Sequence, residues 1–173
     1  MQLAIRRAQP EEEKRRISAM PLHEGPAGRG YVKLEGYEGA DIPRLASLLE
    51  SGFGRKLVPG YFELPASLIV LDAEYRGVGI VKEMFGESYL DKFTVHPDAR
   101  GFGIARDIWA VLKEQHGSLI WRSRKDNPIN CWYRKNSDAS VDTGKWTVFW
   151  YGIDAERASA LVPQVAALPE TLK

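Results

Sequence analysis

Apolar and polar positions alternate along this chain in short blocks that change period. Val32 and Leu34 share one face of a candidate strand over residues 31–37. Asp41 is placed to cap a helix running to about Ser51, with Pro43 in its first turn and Leu45, Leu48 and Leu49 spaced for one buried stripe. The runs Leu68-Ile69-Val70-Leu71 and Gly77-Val78-Gly79-Ile80-Val81, split by residues 72–76, predict a hairpin. Residues 89–95 predict another strand, and residues 104–116 a helix with Ile104, Ile108, Trp109 and Leu112 on its apolar stripe. A strand over 119–123, a short helix or turn over 128–135 and a final aromatic strand over 146–153 complete the pattern. This order implies an α/β domain built on a mixed sheet, without internal repeats.

The first thirty residues break the pattern. Glu11-Glu12-Glu13-Lys14-Arg15-Arg16 is a charged tail or short helix, and residues 23–30 have the glycine and proline of a linker. Residues 1–30 are therefore expected to be a linker or tail from an upstream domain, and residues 31–173 one compact domain. Twenty-four Lys and Arg against 23 Asp and Glu leave a formal charge of +1, so any electrostatic argument must rest on local clusters. The lone Cys131 excludes an internal disulfide and is expected to be a buried thiol rather than a nucleophile, since no histidine lies near it in sequence. His23, His96 and His116 are too scattered to suggest a metal site, so no metal is expected. Without a signal-like apolar run, or the roughly 20 apolar residues of a span, a cytoplasmic or matrix-like compartment is expected.

Candidate chemistry lies in two places. Arg100-Gly101-Phe102-Gly103-Ile104-Ala105 joins the strand ending at Val95 to the helix starting near Ile104. Small residues let the backbone turn tightly there, and the helix N-terminus adds a partial positive charge, which suits a phosphate or pyrophosphate. The third glycine and distant acidic residue of a dinucleotide fold are missing, as is the Gly-Lys-Ser/Thr of a Walker loop. On the strand over 119–123, Arg122 and Arg124 fall on one face, about 7 Å apart. Two guanidiniums so placed suit a ligand with more than one carboxylate. Trp121 and the apolar Leu119-Ile120 imply a buried strand, where charges need partners. Lys92, mid-strand between Asp91 and Phe93, reads as an ion pair or a ligand, and Arg55 and Lys56 as surface charge or carboxylate contacts. Tyr133 by itself reads as half-buried packing.

The loop matches the Gln/Arg-x-x-Gly-x-Gly/Ala signature of the GCN5-related N-acetyltransferases. Together with Tyr89-Leu90-Asp91-Lys92-Phe93-Thr94-Val95, the run from Trp121-Arg122-Ser123-Arg124 through Asn127-Pro128-Ile129-Asn130 to Trp132-Tyr133, and Trp146-Thr147-Val148-Phe149-Trp150-Tyr151-Gly152, it resembles the acetyltransferase domain of N-acetylglutamate synthase. The likeness runs from about Gly52 to Gly152 and is nearest to the kind fused behind an amino-acid kinase domain, as in vertebrate synthases and bacterial synthase/kinases. One departure is Cys131, where the family usually has proline.

The resemblance implies a GCN5-related (GNAT) fold: a twisted mixed sheet splayed near its middle, with helices on both faces and acetyl-CoA in the splay. It implies that Arg100, Gly101, Gly103, Ile104 and Ala105 hold the pyrophosphate, while backbone groups of Phe93, Thr94 and Val95 pair with the pantetheine. The substrate it implies is L-glutamate, held by Arg55, Lys56, Lys92, Arg122, Arg124 and Asn127, and acetylated by direct attack of its amine in the first step of arginine biosynthesis. Tyr133 would protonate the departing thiolate, and Asp91, Glu83 or a bound water would act as base. An upstream amino-acid kinase domain and a homo-oligomer are expected as partners. Rival readings are a non-catalytic acyl-CoA sensor controlling the kinase, or an acetyltransferase for another amine. Two arginines weigh against cationic ornithine, and the small net charge weighs against nucleic acid.

Overall fold

The computed structural model describes residues 30–173 and, as backbone alone, His23–Glu24. Eight strands form one sheet: β1 (His23–Glu24), β2 (Gly30–Leu34), β3 (Leu68–Asp72), β4 (Gly77–Met84), β5 (Glu87–Val95), β6 (Leu119–Arg124), β7 (Ala139–Asp142) and β8 (Trp146–Tyr151). Among the described residues four α-helices pack on it: α1 (Ile42–Phe53), α2 (Ile104–Gln115), α3 (Asn130–Asn136) and α4 (Ala155–Ala166). The spatial order is β1-β2-β3-β4-β5-β6-β8-β7. All neighbours are antiparallel except β5 and β6, which run parallel and share one registered pair, Tyr89 with Ile120. Past that pair β5 continues to Val95 and β6 to Arg124 without a shared ladder, and the sheet splays.

Local chemistry explains most elements. Asp41 accepts the N–H of Arg44 at 3.1 Å, Pro43 preforms the first turn, and Gly54 closes α1 at φ 64°. The buried stripe of α1 is Leu45, Leu48 and Leu49, as its spacing predicts. α2 lies on a bed of glycine: a Cβ on Gly77 would come within 2.6 Å of Ile104 Cγ2, and one on Gly79 within 2.9 Å of Leu112 Cδ1. The β4–β5 hairpin turns through Phe85 and Gly86, both at positive φ, as a two-residue turn of this hand requires.

β5 carries a bulge. Ile80 faces Lys92 and Val81 faces Leu90, which leaves Asp91 without a direct partner on β4. Leu90 and Phe93, three residues apart, consequently both join the core beneath α2, and Lys92 turns to the opposite face. That face carries α1 over β3 and β4, and α4 over β6 and β8.

The predicted mixed sheet holds, with local corrections. β2 stops at Leu34 rather than residue 37, since the chain turns away through Gly36 at φ 80°. β8 stops at Tyr151 because Gly152 presses on the carbonyl of Gly117, where no Cβ fits. Neither β7 nor α4 was predicted. β7 is a mostly exposed edge without apolar alternation, and Pro163 inside α4 reads as a helix breaker although Ala158, Leu161, Val162 and Val165 form a buried stripe. Within the expected linker, His23–Glu24 pair with Gly30–Tyr31; the rest of residues 1–29 lies outside the described residues. No helix among the described residues is long and apolar enough to cross a membrane.

Candidate active site at the splay

The loop after β5 turns tightly around a small cavity. Gly101 and Gly103 stand at φ 88° and 81°, a region open to glycine and costly for a β-branched residue. Gly103 begins α2, and Val95, Ala99, Arg100, Gly101, Gly103, Ile104 and Ala105 line a cavity of about 190 Å³. The Arg100 guanidinium donates to the carbonyls of Gly52, at 2.8 Å, and Val95, at 3.4 Å, so it ties the loop to α1 and β5. Thr94 faces α1 so closely that a Cβ on Gly52 would sit 2.3 Å from its Oγ1.

On the α2 face of the splay lies Tyr133. The Asn127 N–H donates to the Arg124 carbonyl, its Oδ1 accepts from the Ile129 N–H, and Asn130 Nδ2 donates to the Arg124 carbonyl at 2.8 Å. These bonds turn the chain at the end of β6 and start α3, whose buried residues are Asn130 and Tyr133. The Tyr133 ring packs among Phe93, Trp109, Trp121, Trp132 and Phe149, with centroids 5.4 Å from Trp121 and from Phe149. Burial raises its phenol well above the usual tyrosine range, with a smaller contribution from Tyr89, so it stays protonated at neutral pH. Cys131 was expected to be buried and is exposed: with Asn130 and Tyr133 facing in and Trp132 packed against the core, Cys131 is left facing out.

The opposite face is charged. Lys92 Nζ lies 3.2 Å from Asp91 Oδ2 and donates to Thr171 Oγ1 at 2.6 Å. Lys82 Nζ approaches Asp91 at 3.5 Å, and the Tyr61 hydroxyl donates to it at 2.6 Å. Burial works to raise the Asp91 pKa, yet the two ammoniums and the Tyr61 hydroxyl hold it below the usual carboxylate range. For Lys92 burial wins, and its pKa falls despite Asp91.

Arg122 and Arg124 share one face, as their spacing predicts, and meet different partners. Arg122 donates to the carbonyls of Val165, Ala166, Leu168 and Pro169, closing the C-terminal end of α4. Arg124 meets the carboxylate of Glu170, which also binds Lys145 at 2.6 Å and lies 3.9 Å from Arg55. The Trp146 ring lies beneath three of these cations, at 4.0 Å from Arg122, 5.5 Å from Arg124 and 5.6 Å from Lys145. Lys56 is not drawn in: it pairs with Glu50 and its side chain is 79% exposed. Asn127 is occupied, through its Oδ1, with its own turn.

Sequence reasoning missed Lys82, Tyr61, Lys145, Trp146 and Glu170. Only Lys82 carried a local signal, a cation inside an apolar β-branched run. Tyr61 and Glu170 come from segments far from the motifs, Lys145 directly precedes the closing aromatic run, and Trp146 opens that run without being singled out as a site residue. Among the described residues no group of three or more His, Cys, Asp and Glu could hold a metal ion.

Residues 31–167 match the family described as NAT, N-acetyltransferase, of N-acetylglutamate synthase. The chain belongs to this family. A Xanthomonas campestris acetylglutamate kinase is 42% identical over 133 residues, 73% of this chain and 31% of that protein. Mouse mitochondrial N-acetylglutamate synthase is 34% identical over 147 residues, 81% of this chain and 28% of that protein. The chain therefore spans about a third of these curated relatives. Solved structures share the fold: the Escherichia coli ribosomal-protein-S18-alanine N-acetyltransferase superposes with TM-score 0.52 at 12% identity, covering 69% of this chain and 90% of that one. The PaiA N-acetyltransferase of Thermoplasma acidophilum, in complex with coenzyme A, gives 0.51 at 13% identity, covering 70% and 98%. The fold is thus the GNAT fold expected from the motif.

Proposed function

We propose that this chain is a catalytic domain that transfers the acetyl group of acetyl-CoA to the amine of L-glutamate, giving N-acetyl-L-glutamate. One observation carries the reading. Arg55, Lys92, Arg122 and Arg124 come from separated segments and converge on residues 165–173 beside the splay. Such a cluster suits an amino acid with two carboxylates, and its positive charge disfavours ornithine. Family membership supports the same substrate, and names such as acetylglutamate kinase among the relatives support a kinase domain in the parent protein.

In this reading the 100–105 loop takes the pyrophosphate, and the β5 backbone at 93–95 takes the pantetheine arm. The glutamate amine attacks the thioester carbonyl: a C–N bond forms, the C–S bond breaks, and the amine gives up a proton. Tyr133, held protonated by its apolar surroundings, supplies the proton that the leaving thiolate needs. Asp91 is ill suited as base, because two ammoniums stabilise its anion. Glu83 is exposed and engaged by Ser88. A water molecule is the better base. The test is thiol release from acetyl-CoA, screened across the twenty amino acids and ornithine. Glutamate alone should raise the rate; turnover with ornithine, or with none of them, overturns the proposal.

A further inference from the structure

The segment after α4 is held chiefly by polar contacts. Its backbone pairs with residues 56–58 through Lys56 N–H to the Lys173 carbonyl, Lys173 N–H to that of Lys56, and Val58 N–H to that of Thr171. Pro169, Glu170 and Lys173 are exposed, and Thr171 and Leu172 half-buried. A segment with so little apolar burial opens at low cost. Yet it engages each cation assigned above to glutamate except Lys56. Glu170 takes Arg124 and Arg55, Thr171 takes Lys92, and the carbonyls of Leu168 and Pro169 share Arg122. Glu170 also takes Lys145, which stands on the turn before β8 and which no motif singles out.

We propose that Arg55, Arg124 and Lys145 form a carboxylate subsite, that Glu170 is its internal occupant, and that residues 169–173 are a strap which a dicarboxylate substrate must displace. The inference rests on the glutamate reading, since it takes the site's second carboxylate to be the substrate's own. The glutamate side chain of the strap presents the carboxylate that glutamate would present. Three cations around one carboxylate give the strap its hold, and the same cations favour the incoming ligand once it has left. The strap therefore lowers apparent affinity by the fraction of molecules in which it is closed.

The probe is glutarate, which has two carboxylates and no amine to acetylate. Binding is measured by calorimetry on the wild type, on Glu170→Gln, which keeps the side-chain shape without the charge, and on Glu170→Gln combined with Lys145→Met. Glutarate should bind Glu170→Gln at least about three-fold more tightly than wild type, the scale of solvent-screened ion pairs. The double variant should lose that gain, and the Val58 amide should exchange faster in Glu170→Gln. Equal glutarate affinity in wild type and Glu170→Gln, or no binding to either, overturns the strap. Equal affinity in the single and double variants removes Lys145 from the subsite. Glutarate binding that follows the expected order, without acetylation of glutamate, sinks the proposed activity and leaves the subsite standing.

Discussion

The two faces of the sheet at the splay are built on opposite principles. Beneath α2 and α3, Phe93, Trp109, Trp121, Trp132 and Phe149 close around Tyr133 by aromatic contact. On the α1–α4 face, the same two strands present Lys92, Arg122 and Arg124, and the packing there is charge against carbonyl and carboxylate. A single bulge at Asp91 lets β5 serve both: without it Leu90 and Phe93 could not share a face. An apolar wall can keep a phenol protonated, while a charged wall can hold an anionic substrate. Neither wall can do the work of the other.

The sharpest test of the division is Tyr133→Phe, which removes the hydroxyl and keeps the ring. Its kcat should fall about 10²-fold or more, with both substrate KM values little moved and the melting temperature preserved. A variant with nearly full kcat would make Tyr133 part of the aromatic wall alone.

On the charged face, Arg124→Ala should raise the glutamate KM by roughly ten-fold or more and leave the acetyl-CoA KM nearly unchanged. Arg122→Ala should do something that Arg124→Ala does not. It removes the guanidinium that bonds the carbonyls of Val165, Ala166, Leu168 and Pro169 at and just past the end of α4, so denaturant melts should show a loss of about 1–3 kcal/mol. Equal stability of the two variants would break the distinction drawn between two arginines on one strand.

The 100–105 loop, which the proposed function gives to the pyrophosphate, leads from β5 into α2, and Gly103→Val probes it. A β-branched residue at φ 81° should weaken acetyl-CoA binding by roughly ten-fold in calorimetry, with far-UV circular dichroism unchanged. A smaller effect is expected from Gly52→Ala, whose new methyl would meet Thr94 Oγ1 at 2.3 Å and push α1 off β5. The cost should be about 1 kcal/mol or more, read as a lower melting temperature.

The last test titrates the tyrosines. Burial pushes Tyr37 and Tyr151 up to about 12 and Tyr89 and Tyr133 higher still, and it raises Tyr61 well above the usual tyrosine range. Below the ordinary tyrosine pKa near 10 these phenols are neutral in both folded and unfolded chains. Above it the unfolded chain releases protons that the folded chain keeps, so stability must fall as pH rises. Melts between about pH 9 and about pH 11 should show that decline. A flat profile would mean the phenols on both faces are more open to water than their burial indicates.

Sequence pattern alone determined α1, with its Asp41 cap and leucine stripe, the β3–β4 hairpin, α2 with the glycine loop before it, and the shared face of Arg122 and Arg124. Each depends on neighbours a few residues apart, which period and capping chemistry report directly. Tertiary structure decided the rest. The bulge at Asp91 exists only against β4, and α4 survives Pro163 because Leu161, Val162 and Val165 bury against β6 and β8. Arg122 and Arg124 were legible as a pair, but not their division of labour, since the carbonyls of α4 and the carboxylate of Glu170 arrive from more than forty residues away. A local pattern can say that a buried charge needs a partner. Which partner it finds depends on how distant segments pack, and that is a property of the folded chain.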